Sequence, residues 1–160
     1  KCINGTATNL DTGPTIVRKT ASESVQNNTH QNDDHLKFAI DTAGYYTFDA
    51  WIIYDASATA DFKFKFTVPA SAIGQREDHV STTACTGGIT KQSIFITTIT
   101  TETNGVFGGG VGTTCLVRTQ GWVLSGGTAG DVQLQWAQTT TDATDTTVQI
   151  NSFIRWQRVN

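Results

Sequence analysis

A chain of 160 residues and 17.2 kDa has the length of one domain rather than two. Charged residues make up 16% of it, threonine fills 29 positions and glutamate three, a composition that suits β structure and excludes a coiled coil, a helix bundle or an acidic disordered tail. The net charge of −3, with Lys and Arg scattered, argues against a nucleic-acid surface, and the longest wholly apolar run, residues 50–54, is far short of the ~20 residues of a membrane helix.

In chain order, residues 1–14 read as an extended arm closed by Gly13-Pro14, and 15–19 as a short strand. The stretch 21–34 is polar and reads as turns around Asn27-Asn28 and Asp33-Asp34. Leu36, Phe38 and Ile40 alternate with Lys37 and Ala39, the period of a half-buried strand. A turn at 41–44 leads into the longest predicted strand, 45–55. Phe62, Phe64, Phe66 and Val68 then alternate with Lys63, Lys65 and Thr67 until Pro69 ends the run. Residues 70–91 read mostly as loop with a short strand at 80–85, 93–100 as an Ile- and Thr-rich strand, and 104–110 as a flexible loop or hairpin tip. Further strands are predicted at 113–118, 121–124, 131–138 and 147–159. Short strands without helices or repeats predict an all-β sandwich, jelly roll or barrel over residues 15–160.

Two strands are apolar on both faces. Tyr45, Thr47, Asp49, Trp51 and Ile53 share one side of their strand, and Tyr46, Phe48, Ala50, Ile52 and Tyr54 the other. Near the C-terminus, Val148, Ile150, Ile154 and Trp156 share a parity that Phe153 and Val159 oppose. A sandwich buries one face of each sheet, so the second apolar face needs a cover. A second copy under cyclic symmetry is the favoured one; a covering loop, or a bulge near Asn151 that shifts the parity, are the alternatives.

No catalytic signature is present. The glycine run 108–112 has Thr113 where a dinucleotide fingerprint needs its last glycine, and there is no Walker loop, HExxH, paired CxxC or GxSxG. The chain therefore reads as a non-enzyme without a cofactor. His30, Asp33, Asp34 and His35 form the nearest metal-like cluster, but a solvated turn leading into 36–40 is preferred and no metal is assigned. Cys85 and Cys115 each sit near the end of a predicted strand, so a bridge between them would leave Cys2 free or paired with another chain. Three reduced thiols, two of them packed as small hydrophobes, are the favoured reading, since spacing alone cannot bring two Cα atoms together. Asn4 and Asn27 are sequons. With no initiating Met and no signal or lipidation motif, Lys1 reads as the start of a mature chain or of a fragment.

Residues 15–25, Asp33-Asp34-His35-Leu36-Lys37-Phe38, Tyr45-Tyr46-Thr47-Phe48, residues 52–56 and 60–69, Val132-Gln133-Leu134-Gln135-Trp136-Ala137-Gln138, residues 143–148 and Ser152-Phe153-Ile154 together form a pattern of strands and turns. The pattern resembles the β-rich surface domains of tailed-phage virion proteins: tail fibres, head fibres and capsid decorations. Such domains often resemble the trimeric jelly roll of tumour necrosis factor and C1q heads. The resemblance implies a single-domain antiparallel jelly-roll sandwich forming a homotrimer on the virion surface, outside the cell. Tyr54, Phe153 and Trp156 are the candidate trimer contacts, and the arm 1–14 would tether the head to capsid or tail proteins. The implied role is virion stabilisation or host-surface adhesion without enzymatic activity. The alternative is a receptor-binding module that recognises a host glycan through loops 70–91 and 101–112. The segment 76–112 is where departure from such relatives is expected.

Overall fold

Phenylalanine at every second position of residues 62–66 produces a strand with one aromatic and one lysine-bearing face, and the aromatic face is buried in the core. The computed structural model describes residues 13–83, 85 and 91–159, so the expected arm lies, up to residue 12, outside the described residues. Among these are twelve strands: β1 (Thr15–Arg18), β2 (Glu23–Val25), β3 (Gln31–Ile40), β4 (Tyr45–Asp55), β5 (Phe62–Thr67), β6 (Ile73–Ser81), β7 (Lys91–Ile96), β8 (Thr103–Val106), β9 (Cys115–Leu124), β10 (Gly130–Gln138), β11 (Thr146–Val148) and β12 (Phe153–Val159). They form two antiparallel sheets packed as a sandwich. Sheet I runs β1-β12-β4-β9-β6-β7, with β11 bridging β4 to β2, and sheet II runs β3-β10-β5-β8. Phe62, Phe64 and Phe66 of sheet II meet Tyr46, Phe48, Ala50, Ile52 and Tyr54 of sheet I, all buried. Phe48 lies 5.2 Å from Phe66 and Tyr54 4.6 Å from Phe62 between ring centroids.

Several predicted boundaries change, each for a physical reason. β6 occupies residues 73–81, of which 73–79 read as loop and only the last two fall in the short strand expected at 80–85, and it is an interior strand of sheet I between β9 and β7. Its inward positions carry Arg76 and Asp78, so its pattern looks polar throughout. The two are fully buried 3.1 Å apart, and the Arg76 guanidinium lies over the rings of Phe64 and Phe66 at 5.5 and 5.8 Å. That guanidinium also donates to the carbonyls of Ile99 and Thr101 and to Thr103, so each of its three nitrogens has an acceptor in the core. The expected glycan loops shrink accordingly, since 73–81 and 103–106 are strands; residues 84 and 86–90 lie outside the described residues.

β3 begins at Gln31, inside the stretch read as a turn. Asp33 and Leu36 both point inward although their parities differ, and the register against β10 slips between Gln133 and Gln135. β3 spends five residues where β10 spends two, and the three extra residues form a bulge, which strands backbone donors. Asp33 Oδ1 accepts the N–H groups of His35 at 3.0 Å and Leu36 at 2.9 Å. β9 is one strand rather than two: a Cβ on Gly121 would sit 2.3 Å from the Gln75 carbonyl oxygen, so glycine lets β6 and β9 pair closely.

At the C-terminus the predicted single strand is two. Asn151 takes φ 74° in the intervening turn, and Ser152 donates its hydroxyl to the carbonyl oxygens of Gln149 and Ile53. Val148 and Ile154 are therefore buried while Ile150 between them is exposed. Cys85 and Cys115 are joined as a disulfide with Cα atoms 5.5 Å apart, in place of the reduced thiols favoured from sequence. Cys2 lies outside the described residues.

Candidate functional site: the outer face of the larger sheet

Strand alternation in sheet I sends one residue set into the core and the other outward, and pairing registers fix which outward residues become neighbours. Val159, Tyr45, Leu124 and Ile73 form one outward row. Phe153, Trp51, Arg118 and His79 form another, and Ile16, Arg155, Asp49, Gln120, Glu77 and Phe95 a third. Ten large hydrophobics are exposed among the described residues. Seven of them, Ile16, Tyr45, Ile73, Phe95, Leu116, Leu124 and Val159, lie on this face. Phe95 is 65% exposed and Ile73 58%, values no interior role explains. Tyr45 stacks on Trp122 with centroids 5.8 Å apart, and Trp51 on Phe153 at 6.1 Å.

A polar seam crosses this apolar field. Asp49 accepts from Arg118 Nε at 3.0 Å and from Arg155 at 3.2 Å, and the Arg118 guanidinium lies 5.5 Å from the Trp51 ring. The hydrogen bond and charge of Asp49 hold Arg118 protonated above its ordinary range. Glu77 accepts from Ser93 and from Gln120, and these bonds hold its carboxyl below the usual carboxylate range. Tyr45, Trp122, Phe95, Asp49 and Glu77 help to line an open groove of about 560 Å³ over the middle of the sheet. Flat apolar rings beside fixed carboxylates and carboxamides can take a partner protein's side chains or the faces of sugar rings.

The sequence-predicted contacts divide between the two faces. Phe153 is on the outer face, against Trp51. Tyr54 is not: it is fully buried, stacks on Phe62 and donates its hydroxyl to the Phe107 carbonyl at 2.6 Å, and burial pushes its phenol well above the usual range. Trp156 also points inward, stacked on Phe38 at 5.2 Å. The pairing explains the split, because Phe153 faces Trp51 whereas Trp156 faces Phe48 across the same two strands. Tyr54 and Trp156 are thus packed into the core rather than presented as surface contacts. Leu116, Trp122, Phe95 and Ile73 were missed, although the odd–even alternation Leu116, Arg118, Gln120, Trp122, Leu124 carried a signal for β9.

His30, Asp33, Asp34 and His35 do not converge as a metal site. Asp33 is buried against Lys19 at 2.8 Å, His30 Nε2 is 2.9 Å from a Glu102 oxygen, and Asp34 points out. Burial, more than the nearby Lys63 and Lys65, pushes the His30 imidazole down against the opposing pull of Glu102. Among the described residues no three His, Cys, Asp or Glu side chains gather as a metal set.

No protein-family model matches the chain, and no curated protein matches it. A solved structure, the subviral particle of infectious bursal disease virus VP2, aligns over 92% of this chain at 10% identity and a TM-score of 0.21. The chain spans 41% of the length of that one. At that level of likeness neither fold nor activity transfers.

Proposed function

We propose that the chain is a non-enzymatic interaction domain that associates with copies of itself through the outer face of sheet I. In this reading it is a homotrimeric jelly-roll head on a virion surface, as a capsid decoration, head fibre or tail-fibre tip. The observation that carries it is the gathering of seven exposed large hydrophobics on one sheet face. A face of this kind is rare on a monomer and common where proteins meet. The strand order supports the jelly-roll part: β1-β12-β4-β9 packs over β3-β10-β5-β8, and the hairpin β6–β7 extends the first sheet within the segment where departure from relatives is expected. Three copies would then stabilise a capsid or adhere to a host surface by multivalency, each weak contact gaining from effective concentration. The arm 1–14 would tether the head to capsid or tail proteins.

Light scattering over a dilution series tests this. A mass near three times 17.2 kDa is expected, and a monomer at every concentration would overturn it. One observation favours a second reading, glycan recognition: the stacked pair Tyr45–Trp122 beside Asp49 and Glu77 in the groove. A monomer whose Trp122 resonances shift on titration with oligosaccharides would support that reading instead.

A further inference from the structure

Lys19 and Asp33 are fully buried, yet neither belongs to the outer face. Lys19 follows β1 of sheet I, and Asp33 sits in the bulge of β3 in sheet II, so their contact crosses between the sheets. Lys19 Nζ is 2.8 Å from Asp33 Oδ2 and 2.7 Å from Glu23 Oε2. Two features exceed what charge pairing requires. Asp33 Oδ1 receives two backbone N–H groups, from His35 at 3.0 Å and Leu36 at 2.9 Å, the arrangement that stabilises an oxyanion in acyl transfer. Asp33 Oδ2, on the amine side, receives the indole N–H of Trp136 at 3.2 Å. A second carboxylate, Glu23, touches the amine and is in place to carry its protons. Glu23 is itself fixed by the carboxamide of Gln31 at 2.8 Å.

We propose that Lys19 and Asp33 condense into an intramolecular isopeptide bond, with Glu23 as the proton carrier. The Lys19 ammonium passes one proton through Glu23 to the Asp33 carboxylate, leaving a neutral amine beside a carboxylic acid. The Nζ lone pair attacks Cγ, the C–N bond forms, and negative charge collects on Oδ1 against the two N–H donors. Glu23 then takes a second proton from Nζ and delivers it to the Oδ2 hydroxyl. The Cγ–Oδ2 bond breaks, one water leaves, and Nζ keeps a single hydrogen as an amide. No oxidant or cofactor is consumed. The fixed contact supplies the proximity that a free amine and acid lack in solution, and burial keeps water from the product. The bond ties the first described strand of sheet I to sheet II within one chain, so it stands independently of the assembly proposed above.

The test is the intact mass of the full-length chain, reduced and denatured. The expected result is a loss of about 18 Da from the mass the sequence dictates, one water per amide formed, with proteolysis yielding a branched peptide that joins Lys19 to Asp33. Lys19→Arg keeps the positive charge but cannot form this amide, and it is expected at full mass. Glu23→Ala keeps both reactants and is also expected at full mass. A wild-type chain at full mass would overturn the proposal, as would a water loss that maps elsewhere or survives in Lys19→Arg. Persistence of the loss in Glu23→Ala would overturn the role of Glu23. The wild-type reading is made on denatured protein and does not depend on whether a variant folds.

Discussion

The outer faces of the two sheets are built on the same alternation and carry opposite chemistry. Sheet II turns Lys37, Lys63, Lys65, Gln133 and Gln135 outward, while sheet I turns out Tyr45, Trp51, Phe95, Leu116, Trp122 and Phe153. Both sheets fill their inward positions from the same aromatic and aliphatic core. A sandwich needs only that inward set to fold. The outward polar set of sheet II is what water-facing strands carry, and the outward apolar set of sheet I has no folding role to explain it. The difference separates residues that hold the domain together from residues that bring something to it.

The largest effect is expected from reversing the chemistry of one face. Leu116→Glu, on the apolar face at the Cys115 end of β9, is expected to reduce the sedimenting species to a single 17.2 kDa chain, while Lys65→Glu on the opposite face leaves the assembly as it was. Unchanged assembly in Leu116→Glu would remove the contrast between the faces. Next comes the contrast between the inner and outer sides of β6. Arg76→Ala strands Asp78 as a buried unpaired charge and is expected to cost about 3–5 kcal/mol in denaturant unfolding. Gln75→Ala, one residue away on the outer side, should stay within about 0.5 kcal/mol.

The disulfide closes a segment of 30 residues. Replacing both Cys85 and Cys115 by Ser should cost about 3–4 kcal/mol through restored freedom of the unfolded chain, read as a lower Tm under oxidising conditions. The smallest effect concerns pH. Folding lowers the Glu77 carboxyl below its ordinary value of 4.5, so the unfolded chain binds the proton more readily. Its contribution is present above pH 4.5 and is lost as pH falls through the folded value. Glu77→Gln should therefore lower stability slightly at neutral pH, leave it unchanged at acid pH and so flatten the acid limb of the profile; an identical acid limb would show that Ser93 and Gln120 do not hold the carboxylate in solution.

The strands that were legible are those whose inward residues are apolar. Phe62, Phe64 and Phe66, or Leu36, Phe38 and Ile40, announce a face by hydrophobic contrast alone. β6 failed that test because Arg76 and Asp78 neutralise each other inside the core, and a single sequence does not show two charges meeting. The start of β3 failed because Asp33 satisfies the backbone of its own bulge, so a turn-forming residue sits in a strand. The candidate contacts failed on register. Tyr54, Phe153 and Trp156 are all aromatic, and only the packed sheets reveal that Phe153 looks outward and the other two inward. The existence of a second apolar face was readable; its membership required the fold.

Radical footprinting at high and low protein concentration tests most directly whether sheet I's outer face is the covered surface. Tyr45, Phe95 and Trp122 should label slowly in concentrated protein and faster on dilution, whereas Phe107 and Val111, exposed in the segment between β8 and β9, should label equally at both. Labelling of Phe95 and Trp122 that does not change with concentration would contradict self-association through this face.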